Sequence, residues 1–209
     1  MRLQFGDTHT PTVEGTSPEV EGWHTIRSPS SRMSYLLAAL AGVVLLSGLC
    51  AGMGMWSLAV RHKAGMATAN DVADPWGAVA IALVVFIPLH EFLHLLGQPQ
   101  WGTSSRSVVV IWPARLRFGV YYEGCMSRRR WLVMRLAPLM VLSVLPACVV
   151  ALLQAQPLYP EVDIGLQVLM VLNALGSGGD IVAALLVVSQ VPPAAQMCFQ
   201  AGRAYWRPA

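Results

Sequence analysis

The run from Trp76 to Gly97 reads WGAVAIALVVFIPLHEFLHLLG, and its only ionisable side chains are His90, Glu91 and His94. A stretch so long and apolar can satisfy its backbone in hydrocarbon only as a helix, and at about 1.5 Å per residue it is long enough to cross a bilayer core of about 30 Å. Ionisable groups at that depth cost about 2.5–3.5 kcal/mol each on insertion scales, so three together call for a use. Chance is a poor account of them. With 5 His and 6 Glu in 209 residues, about 0.003 matches to this spacing are expected at random.

On a helix, residues four apart differ by about 40° of rotation and one turn of rise, so His90 and His94 present their imidazoles to one point. Two neutral imidazoles so placed can grip one Zn²⁺. Glu91 is rotated by about 100° from its histidine, which puts it beside the ion, where it could take a proton from water as a general base. The alternatives for the same residues are structural polar packing, haem ligation and a proton relay.

The rest of the chain agrees with a membrane setting. It is 55% hydrophobic and 12% charged, against about a quarter charged in soluble domains. Residues 1–32 are rich in Ser, Thr, Pro, Gly and Glu without apolar period, which predicts a disordered tail. No apolar core lies within the first thirty residues, so no cleaved signal peptide is expected. A first span is expected from about Ser34 to Val60, with Gly42, Gly48, Gly52 and Gly54 available for helix packing. The second carries the His motif just after Pro88, a residue that could kink it. A third runs from about Trp131 to Leu153 with Pro138 and Pro146 inside, and a fourth from about Ile164 to Val191. Cys50, Cys125, Cys148 and Cys198 show no paired spacing and read as apolar fillers, with neither a disulfide framework nor a thiolate cluster indicated.

Between the second and third spans, SVVVIWPARLRFGVYY places β-branched and aromatic residues on either side of Pro113, predicting a short hairpin. It could lie on the headgroups, or hold an extended substrate at an exposed strand edge. Arg128, Arg129 and Arg130 follow as a membrane-surface anchor. Alternate sides of four spans carry twelve and two Lys or Arg, which puts both termini and the central loop in the cytoplasm by the positive-inside rule. The basic balance is thus a topology signal and not one for nucleic acid.

The fourth span contains NALGSGGD, ending at Asp180. His90 lies 14 residues after Trp76 and Asp180 16 after Ile164, so the two stand about 21 and 24 Å along helices of the same direction. Asp180 can therefore complete a His, His, carboxylate set that leaves a fourth position for water, as in catalytic zinc sites. A polar contact between helices is its alternative. Asn173, nearly two turns earlier on almost the same face, could hydrogen-bond substrate backbone or stabilise an oxyanion, or serve packing. Gly176, Gly178 and Gly179 permit close packing or local unwinding beside Asp180.

HEFLH, the hairpin loop, SRRRWLVMRLAPLM and NALGSGGDI together give a chain that resembles a family of small four-span bacterial and archaeal membrane zincin peptidases over about residues 34–207. It is also similar to site-2 intramembrane metalloproteases, although the later motif lacks their prolines and Leu-Asp-Gly ending. The resemblance implies His90, His94 and Asp180 as zinc ligands and Glu91 as catalytic base.

The expectation is an all-α integral membrane protein of the cell membrane. It comprises a cytoplasmic tail (1–32), a four-span metallopeptidase-like domain (33–193) with a short cytoplasmic β-hairpin, and a cytoplasmic C-terminal tail (194–209). Its partners are the lipid bilayer and a membrane-protein or peptide substrate. A catalytically silent metal-binding scaffold and a transporter are the competing functions. No internal repeat supports the transporter.

Overall fold

The computed structural model of the chain describes residues 1–5, 22–64, 75–112, 117–153, 160–200 and 203–209. Pro113, Arg115, Leu116 and half of the expected N-terminal tail lie outside them. In chain order the elements are β1 (Arg2–Phe5), β2 (His24–Thr25), α1 (Ser31–Ala64), α2 (Pro75–Gly97) and a 3₁₀ turn (Pro99–Gly102). Then come β3 (Ser107–Trp112), β4 (Arg117–Tyr122), β5 (Cys125–Ser127), α3 (Arg128–Leu139), a π-helical segment (Met140–Val144) and α4 (Leu145–Leu153). α5 (Pro160–Gly176), α6 (Gly178–Gln190), β6 (Gln196–Gln200) and β7 (Arg203–Arg207) complete the chain.

Among the described residues three stretches are long and apolar enough to cross a membrane: Ser31–Gly52, Val79–Gly97 and Arg128–Val150. A fourth exists if Gly165–Gly176 and Gly178–Gln190, bent by 45° across their break, count as one broken span. α2 runs through Pro88 without interruption. The break between α5 and α6 falls at Ser177, inside the glycine-rich stretch read as permitting close packing or local unwinding.

The fold is mostly helical but not all-α. The expected hairpin exists as β3 and β4, paired from Ser107↔Tyr122 to Trp112↔Arg117. β1 adds to it parallel to β3, so the sheet order is β1-β3-β4 and, among the described residues, β4 is an edge. A second sheet, β2-β7-β6-β5, draws on both stretches expected as tails. Its strands are two to five residues long, too short for a period-two pattern to stand out. Within it Cys125 stands opposite Cys198 and the two form a disulfide. That corrects the reading of all four cysteines as fillers. The partners lie 73 residues apart, so no local spacing announces them; Cys50 and Cys148 are free.

The chain forms two compact units. One comprises residues 1–34, 91–137 and 180–209. Its core gathers Tyr122, Met126, Trp131, Met134, Val187, Val191, Ala195 and Met197, where α3 and α6 meet the second sheet. The other comprises residues 35–90 and 138–179. Here α1 approaches the end of α5 closely: a Cβ on Gly42 would stand 2.8 Å from the Leu175 carbonyl oxygen. Gly48 and Gly52 have no such neighbour. Leu36, Leu40, Val44, Ile81 and Val84 are exposed, whereas Asn173 and Ser143 are fully buried. Apolar residues outside and polar residues within is the distribution a lipid solvent demands.

Candidate metal centre

α2 supplies both histidines, and each is oriented through Nδ1. His94 Nδ1 lies 2.9 Å from the Met134 carbonyl oxygen. A carbonyl only accepts, so Nδ1 carries the hydrogen and Nε2 is the nitrogen available to a ligand. Gly97, one turn on, makes this possible: a Cβ there would sit 2.7 Å from the Met134 Cα, so no larger residue lets α3 come so near.

His90 is held in the same sense. Its Nδ1 lies 2.8 Å from Asn173 Oδ1. The orientation of that amide is fixed because its Nδ2 donates to the Pro138 carbonyl oxygen at 2.9 Å and to Ser143 Oγ at 2.8 Å. Oδ1 must then accept from His90, again leaving Nε2. Ser143 sits in the π-helical segment, a widened turn of the kind frequent at functional sites. Asn173, open in the sequence to a substrate or oxyanion contact or to packing, is fully buried, and its amide meets His90, Pro138 and Ser143.

Asp180 is in the first turn of α6, where the helix dipole favours a carboxylate. Its Oδ1 accepts from Arg135 Nη1 at 2.9 Å, and its Oδ2 lies 3.2 Å from His94 Nε2. With the hydrogen on Nδ1, a neutral His94 turns a lone pair toward a carboxylate oxygen. Two acceptors at that distance need a positive charge between them, either a proton or a cation. Bonds of about 2.0–2.1 Å at a tetrahedral zinc would place two ligand atoms about 3.3 Å apart, close to the observed separation.

His90 precedes His94 by one turn of the same unbroken helix. One ligand atom from each of His90, His94 and Asp180 lies within 4.8 Å of the others, and all three residues are buried. Two imidazoles and a carboxylate form a donor set suited to zinc. These residues could hold the ion.

Glu91 is outside this group, as its rotation on the helix requires. Its Oε2 accepts from the Val120 backbone N–H of β4 at 3.0 Å. A cavity of about 40 Å³ beside His94 is also lined by Gln98, Val120, Trp131, Arg135 and Phe199. Gln98 Oε1 is buried without a hydrogen-bond partner among the described residues.

A family model described as "Putative zincin peptidase" matches residues 83–196. The chain belongs to this zincin peptidase family. No curated protein and no solved structure matches it. The family match covers α2 from Leu83 through α6 and so includes every side chain of the metal group. Family membership implies a metal, and the oriented donors are consistent with zinc.

Sequence reasoning missed the orienting partners. Arg135 holds Asp180, a part that the motif spacing does not assign to it. Its place four residues after Trp131, whose ring it overlies at 5.4 Å, was the available signal. Met134 contributes a backbone carbonyl, which no side-chain pattern can reveal.

One expected outcome follows from the amide network. Asn173→Ala should weaken zinc binding by about 10–100-fold, the usual cost of removing a partner that orients a ligating histidine. Competition with a chromogenic chelator measures this, and unchanged affinity would remove Asn173 from that role.

Proposed function

We propose that the protein is a zinc-dependent peptidase embedded in the membrane, with His90, His94 and Asp180 as metal ligands and Glu91 as general base. The observation that carries the reading is the 3.2 Å approach of His94 Nε2 to Asp180 Oδ2, with the histidine already hydrogen-bonded through its other nitrogen. Zinc would supply Lewis acidity, polarising a peptide carbonyl and making water a better nucleophile. Glu91 would take the proton from that water and return it to the leaving amine. The Val120 N–H restrains its carboxylate meanwhile.

The same contact suggests where substrate lies. Val120 belongs to the edge strand of its sheet, and an extended peptide that added to β4 would run beside Glu91. Because the metal group falls within apolar stretches, the substrate class is a membrane-embedded or membrane-tethered protein, the reading in which the site-2 protease likeness also fits. Cleavage of matched membrane and secreted peptides by wild type and Glu91→Gln tests this. Absence of any Glu91-dependent fragment would favour a silent metal-binding scaffold.

We take the chain to cross the membrane four times with both termini cytoplasmic, a reading supported by twelve Lys or Arg on one side against two on the other. Reporter fusions at the termini and near Ala67 and Pro157 should give cytoplasmic signal at the ends and external signal at the two loops. An external C-terminus would reverse the assignment.

A further inference from the structure

A second cavity, of about 510 Å³, opens within the unit that carries Asp180, walled by β2 and the residues after it, α3, α6 and the β6–β7 hairpin. This is the size of a ligand site rather than of a packing defect. Its polar wall residues are Arg135, Arg203, Thr25 and Ser28, and among the described residues no acidic one lines it. The remaining lining is apolar, including Trp131 and Phe199.

The two arginines differ in what holds them. Arg135 gives Nη1 to Asp180, so its charge is largely matched. Arg203, on β7, has no ion pair or side-chain hydrogen bond among the described residues. A guanidinium on the wall of a partly apolar cavity, with no carboxylate among the described lining residues, creates a positive potential that favours an anionic group. Trp131, Arg135 and Phe199 also line the small cavity beside His94. The larger cavity therefore adjoins the region of the His94–Asp180 pair across these three residues.

From this we infer that the 510 Å³ cavity is a specificity pocket for an acidic side chain of the peptide substrate, read by Arg203, with Trp131 and Phe199 packing the apolar residues around it. The inference rests on the peptidase reading for its ligand class. An acidic residue on an apolar segment matches the wall on both counts, with its carboxylate at the guanidinium and its neighbours on the aromatic rings. A headgroup of an anionic lipid shares the charge, but the pocket's place beside the His94–Asp180 pair favours a peptide.

The test uses the full chain with Glu91→Gln, in detergent micelles, and two fluorescently labelled apolar peptides that differ by one Glu→Gln change. By fluorescence anisotropy the Glu peptide should bind about tenfold more tightly than its Gln partner. Adding Arg203→Gln should shrink that ratio to within about twofold, whereas Arg203→Lys and the exposed-loop control Arg106→Gln should keep most of it. Equal binding of the two peptides, or a preference that survives Arg203→Gln, overturns the inference. So does Arg203-dependent retention of phosphatidylglycerol, seen by native mass spectrometry, without peptide discrimination. The two readings fail separately. Charge-selective binding with no cleavage of the same peptide by wild type removes the peptidase and leaves the pocket, whereas equal cleavage of both peptides removes the pocket and leaves the peptidase.

Discussion

Glu91→Gln should lower peptide hydrolysis by about 10²–10⁴-fold, the range usual for loss of a positioned general base, while zinc stays bound at one ion per chain. The side chain keeps its length and can still accept from the Val120 N–H through the amide oxygen, so the fold has little reason to change. What is lost is the capacity to take a proton from water. The three residues that form the metal group do not include Glu91, and zinc content should therefore be indifferent to the substitution. Parallel measurement of zinc by elemental analysis and of cleavage by mass spectrometry checks both halves. Wild-type hydrolysis rates in the variant would remove Glu91 from catalysis.

His94→Ala and Asp180→Ala should each reduce bound zinc to a small fraction of the wild-type content, and His90→Ala should do the same. Each removes one of three donors, and the fourth position of a catalytic site offers only water or substrate in compensation. The Asp180 variant carries a further cost, because it leaves Arg135 without the carboxylate it now pairs with at 2.9 Å. That variant should also be the least stable of the three, since an uncompensated guanidinium remains in a partly buried place. Thermal unfolding of the purified proteins gives the ranking. Stoichiometric zinc in folded Asp180→Ala would exclude Asp180 as an essential ligand, and absence of any transition metal from carefully handled wild type would end the peptidase reading.

The metal group was legible because its signal is local. Two histidines at a four-residue spacing share a helix face whatever else the chain does, and an acid in an apolar segment stands out against its surroundings. Depth along two helices then suggested that Asp180 belonged with them. The hairpin was legible for a similar reason, as six-residue strands carry enough β-branched and aromatic residues to be seen. The second sheet was not. β6 and β7 pair with each other but join the sheet only through distant β5 and β2, and a Pro-Pro step at Pro192 and Pro193 followed by sixteen residues looks like an ending. Asn173 was legible as a polar group in a span, but its hydrogen-bond partners were not. Its spacing placed it on the face of Asp180, and only the course of α3 into the π-helical segment brings Pro138 and Ser143 to its amide.

The Cys125–Cys198 bridge turns topology into a question of redox compartment. The arginine distribution assigns the loop that contains Cys125 and the segment that contains Cys198 to the cytoplasm, where glutathione and thioredoxin keep most thiols reduced. The cysteine pairing belongs more naturally on an oxidising face. The pair is thus a built-in marker of sidedness: thiols that alkylate directly in intact cells go with the orientation set by charge, and thiols that alkylate only after reduction go with its inverse.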